Sequence, residues 1–456
     1  MTKTLFDQFP EVSSKQWKQK IQADLKGADY NDTLIWKTSE GIDVKPFYHL
    51  DFAEEPLFRD SKTNSNWKIC QTIYVQHIDV SNTKVLEALN RGAESIRFII
   101  PSTEISLSEL LKNIDLESTT IYIRLLFLNS EYVKSFEKIL GKESVKLETD
   151  IIGHLCETGN WFQDLSTDHE QLASILKSAP SISINTALYQ NAGATMVQQL
   201  AYGMAHLNEY FNFLDAKIDK NQKSTIQMVF QVAIGSNYFF EIAKLRALRV
   251  LYKTVAQEFD FNTDCLIFAQ PTKRNKTIYD YNTNMLRTTT ECMSAILGEA
   301  DIIDNLPYDA IYHKNNEFGD RIARNQLLVL KHESYFDKVS NPADGAYYIE
   351  ELTNTLAEKG LNLFKDIESN SGFLKMLKEG TIQRKIKEQA SKEQESFNNG
   401  EITLLGTNKH PNPSDKMNGE LELYPFIKTD IRKTLIEPLI GYRLAEKLEQ
   451  ERLKTE

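Results

Sequence analysis

The side chains that most often do chemistry are scattered in this 456-residue chain. Its eight histidines are His49, His77, His154, His169, His206, His313, His332 and His410. No two stand four residues apart, so no helix face offers a ready metal pair. Asp168-His169 falls where a helix should begin, and Asp168 reads as a helix cap before it reads as half of an acid–base dyad. Asp301 and Asp304 straddle the last β-prone run. Carboxylates at the C-terminal end of a barrel strand are placed for catalysis, but solvation of a loop explains them with less. Cys70, Cys156, Cys265 and Cys292 form no C-x-x-C pair, so buried free thiols in a reducing cytosol are expected. Dinucleotide-binding G-x-G-x-x-G, Walker A and H-E-x-x-H are absent, and so is G-x-S-x-G. The residues alone define no catalytic set.

Whatever the chain does must then rest on how its elements are arranged. Hydrophobic residues make up 41% and charged residues 26%, a globular profile that supports a large core. Lys and Arg number 53 against 64 Asp and Glu, a formal charge of −11. That balance opposes a broad grip on nucleic acid or on an anionic membrane. No apolar run approaches the roughly 20 residues of a membrane span. The N-terminus has no apolar signal core. A cytoplasmic protein is expected.

Residues 1–48 read as an arm. Ser13-Ser14 can cap a helix on which Trp17, Ile21 and Leu25 recur every fourth residue and share one face. Gly27 can end it. A helix this short needs a surface to pack on. LIWKT and DVKPFY follow, separated by a turn at Ser39-Glu40-Gly41. From residue 67, short β-prone runs alternate with helical stretches: 69–75, 96–100, 121–127, a weaker ETDII at 148–152, 181–185, 226–232, 265–270 and a doubtful DIIDNL at 301–306. Leu86, Leu89 and Ala93 show the helical period between strands, as do Ile242, Leu245 and Leu248. Strands separated by helices pair in parallel, and about eight such units close a (β/α)8 barrel. An open doubly wound sheet is the alternative, but it would normally carry a Gly-rich phosphate turn. The expected division is an arm over 1–48, a barrel over 49–372 and a helical extension over 373–456. In the extension, 374–398 reads as a solvated charged helix, 407–419 as a loop and 433–453 as a short amphipathic helix.

Three stretches resemble the methylmalonyl-CoA mutase family: TSEGIDVKPFY (38–48), SINTALYQNAGATMVQQLAYGMAHLNEYF (183–211) and the run over 286–353. The last contains Leu286-Arg287-Thr288-Thr289-Thr290 and Arg321-Ile322-Ala323-Arg324-Asn325. The specificity lies in their occurring together, in order, on a βα background. The resemblance implies a (β/α)8 TIM barrel, which in catalytic chains is followed by a flavodoxin-like cobalamin domain whose D-x-H-x-x-G histidine ligates cobalt. No histidine here stands in that context, and the expectation is a chain without that domain.

The resemblance also locates what is lost. Catalytic members carry Tyr-His where this chain has Ala187 and Leu188, just before Tyr189-Gln190-Asn191-Ala192-Gly193-Ala194. In the family the His bonds the thioester carbonyl and the Tyr steers the radical. The early Arg-Gln-Tyr-Ala-Gly-Phe motif reads Cys70-Gln71-Thr72-Ile73. Gly-Thr-Ile-Gln-Asn-Asp has no match near Gly153-His154-Leu155, and Ser-Leu-His-Thr-Asn is replaced around Ile303-Asp304-Asn305-Leu306.

The resemblance thus implies the non-catalytic small subunit of a heterodimeric mutase. The large catalytic subunit would bind both adenosylcobalamin and the acyl-CoA substrate and would interconvert (R)-methylmalonyl-CoA and succinyl-CoA. This chain would hold no cofactor, metal or catalytic residue, and Trp17, Ile21, Leu25 and Trp36 would form the subunit contact. The alternatives are an autonomous barrel enzyme of different chemistry, or a mutase barrel served by a separate cobalamin-binding chain.

Overall fold

The computed structural model describes residues 8–52, 66–428 and 432–456. Eight strands line one sheet: β1 Lys68–Tyr74, β2 Ser95–Ile100, β3 Thr120–Leu125, β4 Val145–Leu147, β5 Ser181–Asn185, β6 Gln227–Ile234, β7 Cys265–Pro271 and β8 Ile302–Asp304. Every pairing is parallel, and β8 pairs with β1, so the first and last strands are neighbours. At the remaining seam the Ser183 N–H donates to the Thr149 carbonyl at 3.0 Å and Ser181 Oγ to the Leu147 carbonyl at 2.7 Å. The sheet is a (β/α)8 barrel, as the alternation of strand and helix requires.

Alternation along each strand sorts the side chains. On β2, Ile96, Phe98 and Ile100 join the apolar layer beneath the helices, while Arg97 between them meets groups from other strands. Outside the strands, α1 (Ser14–Asp24) is capped by Ser13 and Gln16 in a reciprocal capping box. Its end falls three residues before Gly27, whose φ of +99° turns the chain. The segments LIWKT and DVKPFY form a short antiparallel hairpin, Trp36 opposite Val44. Among the shell helices, α2 (Met196–Asp215) and α3 (Tyr238–Glu258) are covered by α6 (Tyr347–Ser369), with α4 (Thr283–Leu297) and α5 (Glu317–Leu328) between them in the chain. Gly360 of α6 lets the three helices close. A Cβ there would lie 3.1 Å from Leu251 and 3.2 Å from Leu200, so side chains would have to yield.

Two expectations need correction. The weak strand expected at 148–152 sits earlier, over Val145–Leu147, and Ile151–Thr158 is a helix. Asp150 caps that helix by accepting the Gly153 N–H at 2.7 Å, which ends the strand before the β-prone Ile151-Ile152 pair. At the C-terminus only Glu446–Leu453 of 433–453 is helical. Pro438 and Gly441 interrupt the stretch, and its backbone bonds elsewhere. The Leu435 and Ile436 N–H groups donate to Gly159, Leu439 to Cys156, Tyr442 to Asn191 and Leu444 to Arg274. Residues 432–445 are therefore a strap across the loops that follow β4, β5 and β7. Upstream, α7 (Thr381–Asn398) buries Ile382, Ile386, Ala390 and Phe397 on one side and presents Arg384, Lys385 and Glu388 to solvent on the other.

The motifs that carry the family resemblance meet in space. Glu40 of TSEGIDVKPFY accepts the Met196 and Val197 N–H groups, each at 2.9 Å, at the start of α2. A carboxylate at a helix N-terminus answers orphan donors and the helix dipole together. Gln326, next to Arg321–Asn325, donates to the Met285 carbonyl and to Thr288 and Thr289 of the LRTTT segment. Arg324 reaches Gln71 on β1 at 2.7 Å. Co-occurrence in sequence is here a set of mutual contacts. All four cysteines are buried and none is in a disulfide, and among the described residues no helix is long and apolar enough to cross a membrane.

Candidate functional site

In a (β/α)8 barrel, chemistry belongs at the C-terminal ends of the strands. Below that mouth the axis is filled. Arg97 of β2 bonds Glu148 beyond β4 at 2.8 Å and Gln231 of β6 at 2.9 Å. Gln231 continues to Ser183 of β5 at 2.9 Å. Tyr122 of β3 meets Phe268 of β7 edge to face, ring centroids 5.4 Å apart, and the Arg97 guanidinium lies 4.9 Å from the same Phe268 ring. Strands β2 and β6, and β3 and β7, are diametrically opposed. Side chains that touch from such strands cross the axis, so the barrel is a packed core at this level.

At the mouth, Ala187 and Leu188 begin a short helix, Ala187–Asn191, directly after β5. Neither carries a group able to hold a carbonyl or a proton. Leu188 packs against the main core, and Gln190 and Asn191 both accept from the Thr272 hydroxyl beyond β7, at 2.7 and 2.9 Å. Asp150 centres a polar array at this mouth. It accepts from Gly153 and Asn185 N–H groups, from the Tyr210 hydroxyl at 2.8 Å, and contacts His206 Nε2 at 2.9 Å. Tyr189 reaches the other His206 nitrogen at 3.0 Å. Burial alone would raise the Asp150 carboxyl, but His206 and the two N–H donors hold it below the usual carboxylate range. Tyr189, His206 and Tyr210 are all fully buried. The array fixes the loops after β4 and β5; its Tyr and His members are sealed, and only Asp150 keeps an edge on a cavity of about 290 Å³.

The sequence candidates separate on folding. Asp168 is not the cap of its helix. Asp164 is, and Asp168 lies one turn in, accepting the Phe162 and Gln163 N–H groups at 2.8 and 3.1 Å. His169 bonds the Leu165 carbonyl at 2.7 Å and makes no pair with Asp168. Asp301 and Asp304 flank β8 at opposite ends. Asp301 binds Arg249 at 2.8 Å at the base of the barrel, whereas Asp304 accepts from Thr72 at 2.6 Å and Gln270 at 2.8 Å near the mouth. They do not form a two-carboxylate site. Trp17 and Trp36 are 48% and 52% exposed, and Ile21 and Leu25 are half-buried. Trp17 rests its edge on Phe47, and Trp36 on Phe240 of α3. Sequence reasoning missed Lys273, a lone cation just past β7 with no periodicity to mark it.

Burial pushes the Asp304 carboxyl up to about 6. A folded-state value above the unfolded one near 3.9 means the folded protein holds this proton more tightly. Stability from this group is present below about pH 4 and is lost as pH rises through about 6, to a total of roughly 3 kcal/mol at 1.36 kcal/mol per pH unit. Asp304→Asn keeps an acceptor for Thr72 and Gln270 without the charge. Urea unfolding of both proteins from pH 4 to 8 should show the variant gaining on wild type as pH rises. Parallel curves across that range would contradict the assignment.

Cobalamin does not fit the residues described at this mouth. His154 is stacked on Phe162 at 3.6 Å between centroids, His313 lies 3.3 Å from Asp309, and His206 is sealed. The strap, held through Leu439, Tyr442 and Leu444, occupies the face above Leu188. Among the described residues, no cluster of three or more His, Cys, Asp or Glu side chains could hold a metal ion.

A family model described as methylmalonyl-CoA mutase matches residues 106–452, well over half of the chain. The chain is 32% identical to the methylmalonyl-CoA mutase small subunit of Porphyromonas gingivalis, over 99% of its own length and 78% of the relative's. It is 26% identical to the small subunit of Streptomyces virginiae, over 84% of this chain and 68% of that one. It is 28% identical to the methylmalonyl-CoA mutase of Rhizobium meliloti, over 88% of this chain but only 64% of that one. The matched model, the closed barrel and the interlocking of Glu40 with α2 and of Gln326 with the LRTTT segment agree: the chain belongs to the methylmalonyl-CoA mutase family.

Proposed function

We propose that this chain is the non-catalytic small subunit of a heterodimeric, adenosylcobalamin-dependent methylmalonyl-CoA mutase. Its partner is the large subunit, which binds the cofactor and the acyl-CoA and interconverts (R)-methylmalonyl-CoA and succinyl-CoA. The family is cobalamin-dependent, and relatives named as large subunits also resemble this chain, with 32% identity over 58% of it in Porphyromonas gingivalis. The observation that carries the reading is the filled axis. Arg97, Tyr122 and Phe268 meet across the axis and leave no channel there for a long acyl-CoA arm, and Ala187 and Leu188 at the mouth have nothing with which to hold a thioester.

A patch of exposed aromatic side chains supports the reading as well. Trp36, Phe239, Tyr347 and Phe52 are each more than 40% exposed. Phe239 also touches Tyr348, which meets Tyr48 at 5.3 Å. Exposed aromatic groups so close together mark an association face.

The isolated chain is expected to form no succinyl-CoA from methylmalonyl-CoA with added adenosylcobalamin, and Ala187→Tyr with Leu188→His is expected to create none. Restoring the two side chains leaves the axis filled. Co-expressed with a chain carrying D-x-H-x-x-G, it should co-purify in an active complex. Succinyl-CoA made by either isolated protein, or failure to co-purify with such a chain, would overturn the reading.

A further inference from the structure

Between the strap and the barrel mouth lies a cavity of about 520 Å³. Its floor includes Leu188, Asn191 and Lys273, and its roof Tyr424, Phe426 and Tyr442. We infer that this cavity is a binding site for a small organic anion with a flat apolar body, held by the Lys273 ammonium against the aromatic roof.

The charges around it decide the sign of the ligand. Arg274 is committed to Glu393 at 2.6 Å, and Arg443 to Glu449 at 2.7 Å. Glu157 is committed to Arg124 at 2.6 Å. Glu446 accepts the Ile427 and Arg443 N–H groups, at 3.1 and 2.8 Å. The Lys273 ammonium has no hydrogen bond or ion pair among the described residues, and that of Lys428 at the rim has none either. Once the ion pairs cancel, Lys273 and Lys428 remain against the single Glu446 carboxylate, whose oxygens are taken by the Ile427 and Arg443 N–H groups.

Lys273 is solvent-exposed by area, yet protein atoms crowd it closely enough to hold its ammonium below the usual lysine range, and no acid among the described residues restores it. A desolvated cation without a counter-ion is costly, and an anion that supplies one is bound the more strongly for it. The walls favour an apolar body, since Leu188, Ile311, Leu439 and Ile440 line the cavity with the aromatic groups. The volume falls within the usual range for small-molecule pockets, roughly 300–1,000 Å³. A carboxylate and a phosphate monoester satisfy the same ammonium, so the shared chemistry is an organic anion.

Pyridoxal 5′-phosphate is a suitable probe, being a flat aromatic anion with an aldehyde. The neutral Lys273 amine attacks the aldehyde carbon, water leaves, and an imine forms. Added borohydride delivers hydride to that carbon while water protonates the nitrogen, which fixes the label as a secondary amine. A lysine held below its usual range has more free amine at pH 7 than a surface lysine. At substoichiometric probe, peptide mass spectrometry is expected to find the label concentrated on Lys273. Benzoate or phenyl phosphate should protect Lys273 and leave the other lysines unchanged, and the better protector identifies the preferred head group. Lys273→Met should abolish the site's labelling with its thermal midpoint unchanged. Label spread over surface lysines without enrichment at Lys273, or no protection by either anion, would overturn the inference. Should Lys273→Met fail to fold, the protection experiment on the wild-type chain decides alone.

Discussion

Glu148→Ala is expected to destabilise the isolated chain by about 3–5 kcal/mol, because it strands a buried guanidinium. Arg97 and Glu148 are 6% and 5% exposed. Arg97 Nε donates to Glu148 Oε2 at 2.8 Å, and its remaining contacts are the neutral Gln231 and the face of Phe268. Without the carboxylate, a charge sits in the barrel axis with a dipole, a ring and the Asp304 carboxylate, which it does not bond, to answer it. The same physics predicts that removing both charges together costs much less. Replacing a buried pair by apolar groups of similar volume is often neutral or stabilising by about 1–4 kcal/mol, so Arg97→Met with Glu148→Leu should recover most of the loss. Denaturant unfolding of the two single variants and the double variant gives the coupling directly. A loss below about 1 kcal/mol for Glu148→Ala would mean that water reaches Arg97. The axis would then be an open channel, and the strongest support for a non-catalytic barrel would fall with it.

The barrel was legible because its signal is repetitive. Seven of the eight runs expected as strands overlap the observed ones to within two residues at either end, including the doubtful DIIDNL, in which Ile302–Asp304 pairs with β1 and β7. The exception, at 148–152, fails for a local reason. Asp150 competes for the backbone as a helix cap, and the Ile151-Ile152 pair is equally at home in a buried helix. The strap was read as helix because its apolar spacing is helical over a few residues. Its N–H groups bond to the mouth loops instead, a tertiary choice that overrides local propensity. The packed axis is the least legible feature. Arg97, Tyr122 and Phe268 lie in runs that read as ordinary strands, and only closure of the sheet shows that they meet. The same holds for Lys273, whose significance comes from carboxylates that pair elsewhere.

Replacing Trp17, Ile21, Leu25 and Trp36 together by alanine is expected to weaken association with the large subunit far more than it weakens this chain. Full burial of such side chains is worth about 1.5–3 kcal/mol each. Trp17 and Trp36 are about half exposed before any partner arrives, so each has roughly half of that still to gain. A combined loss near 4 kcal/mol would raise the dissociation constant about a thousandfold, since each 1.4 kcal/mol is tenfold. The cost to the isolated chain should be small at Trp17, which touches Phe47 of the arm itself, and larger at Trp36, which leans on Phe240 of α3. Cutting away all of residues 1–48 would be a poorer test. It also removes Glu40 from the start of α2 and Ile42 from the main core, so folding and assembly would fail together. Truncation after residue 34 keeps both. It should leave the thermal midpoint of the isolated chain within a few degrees, because 1 kcal/mol moves a large domain by only about 2–4 °C. Co-elution with the large subunit at matched concentration should nevertheless be lost. A collapsed midpoint with intact co-elution would show that the arm serves the fold of its own barrel and that the subunit contact lies elsewhere.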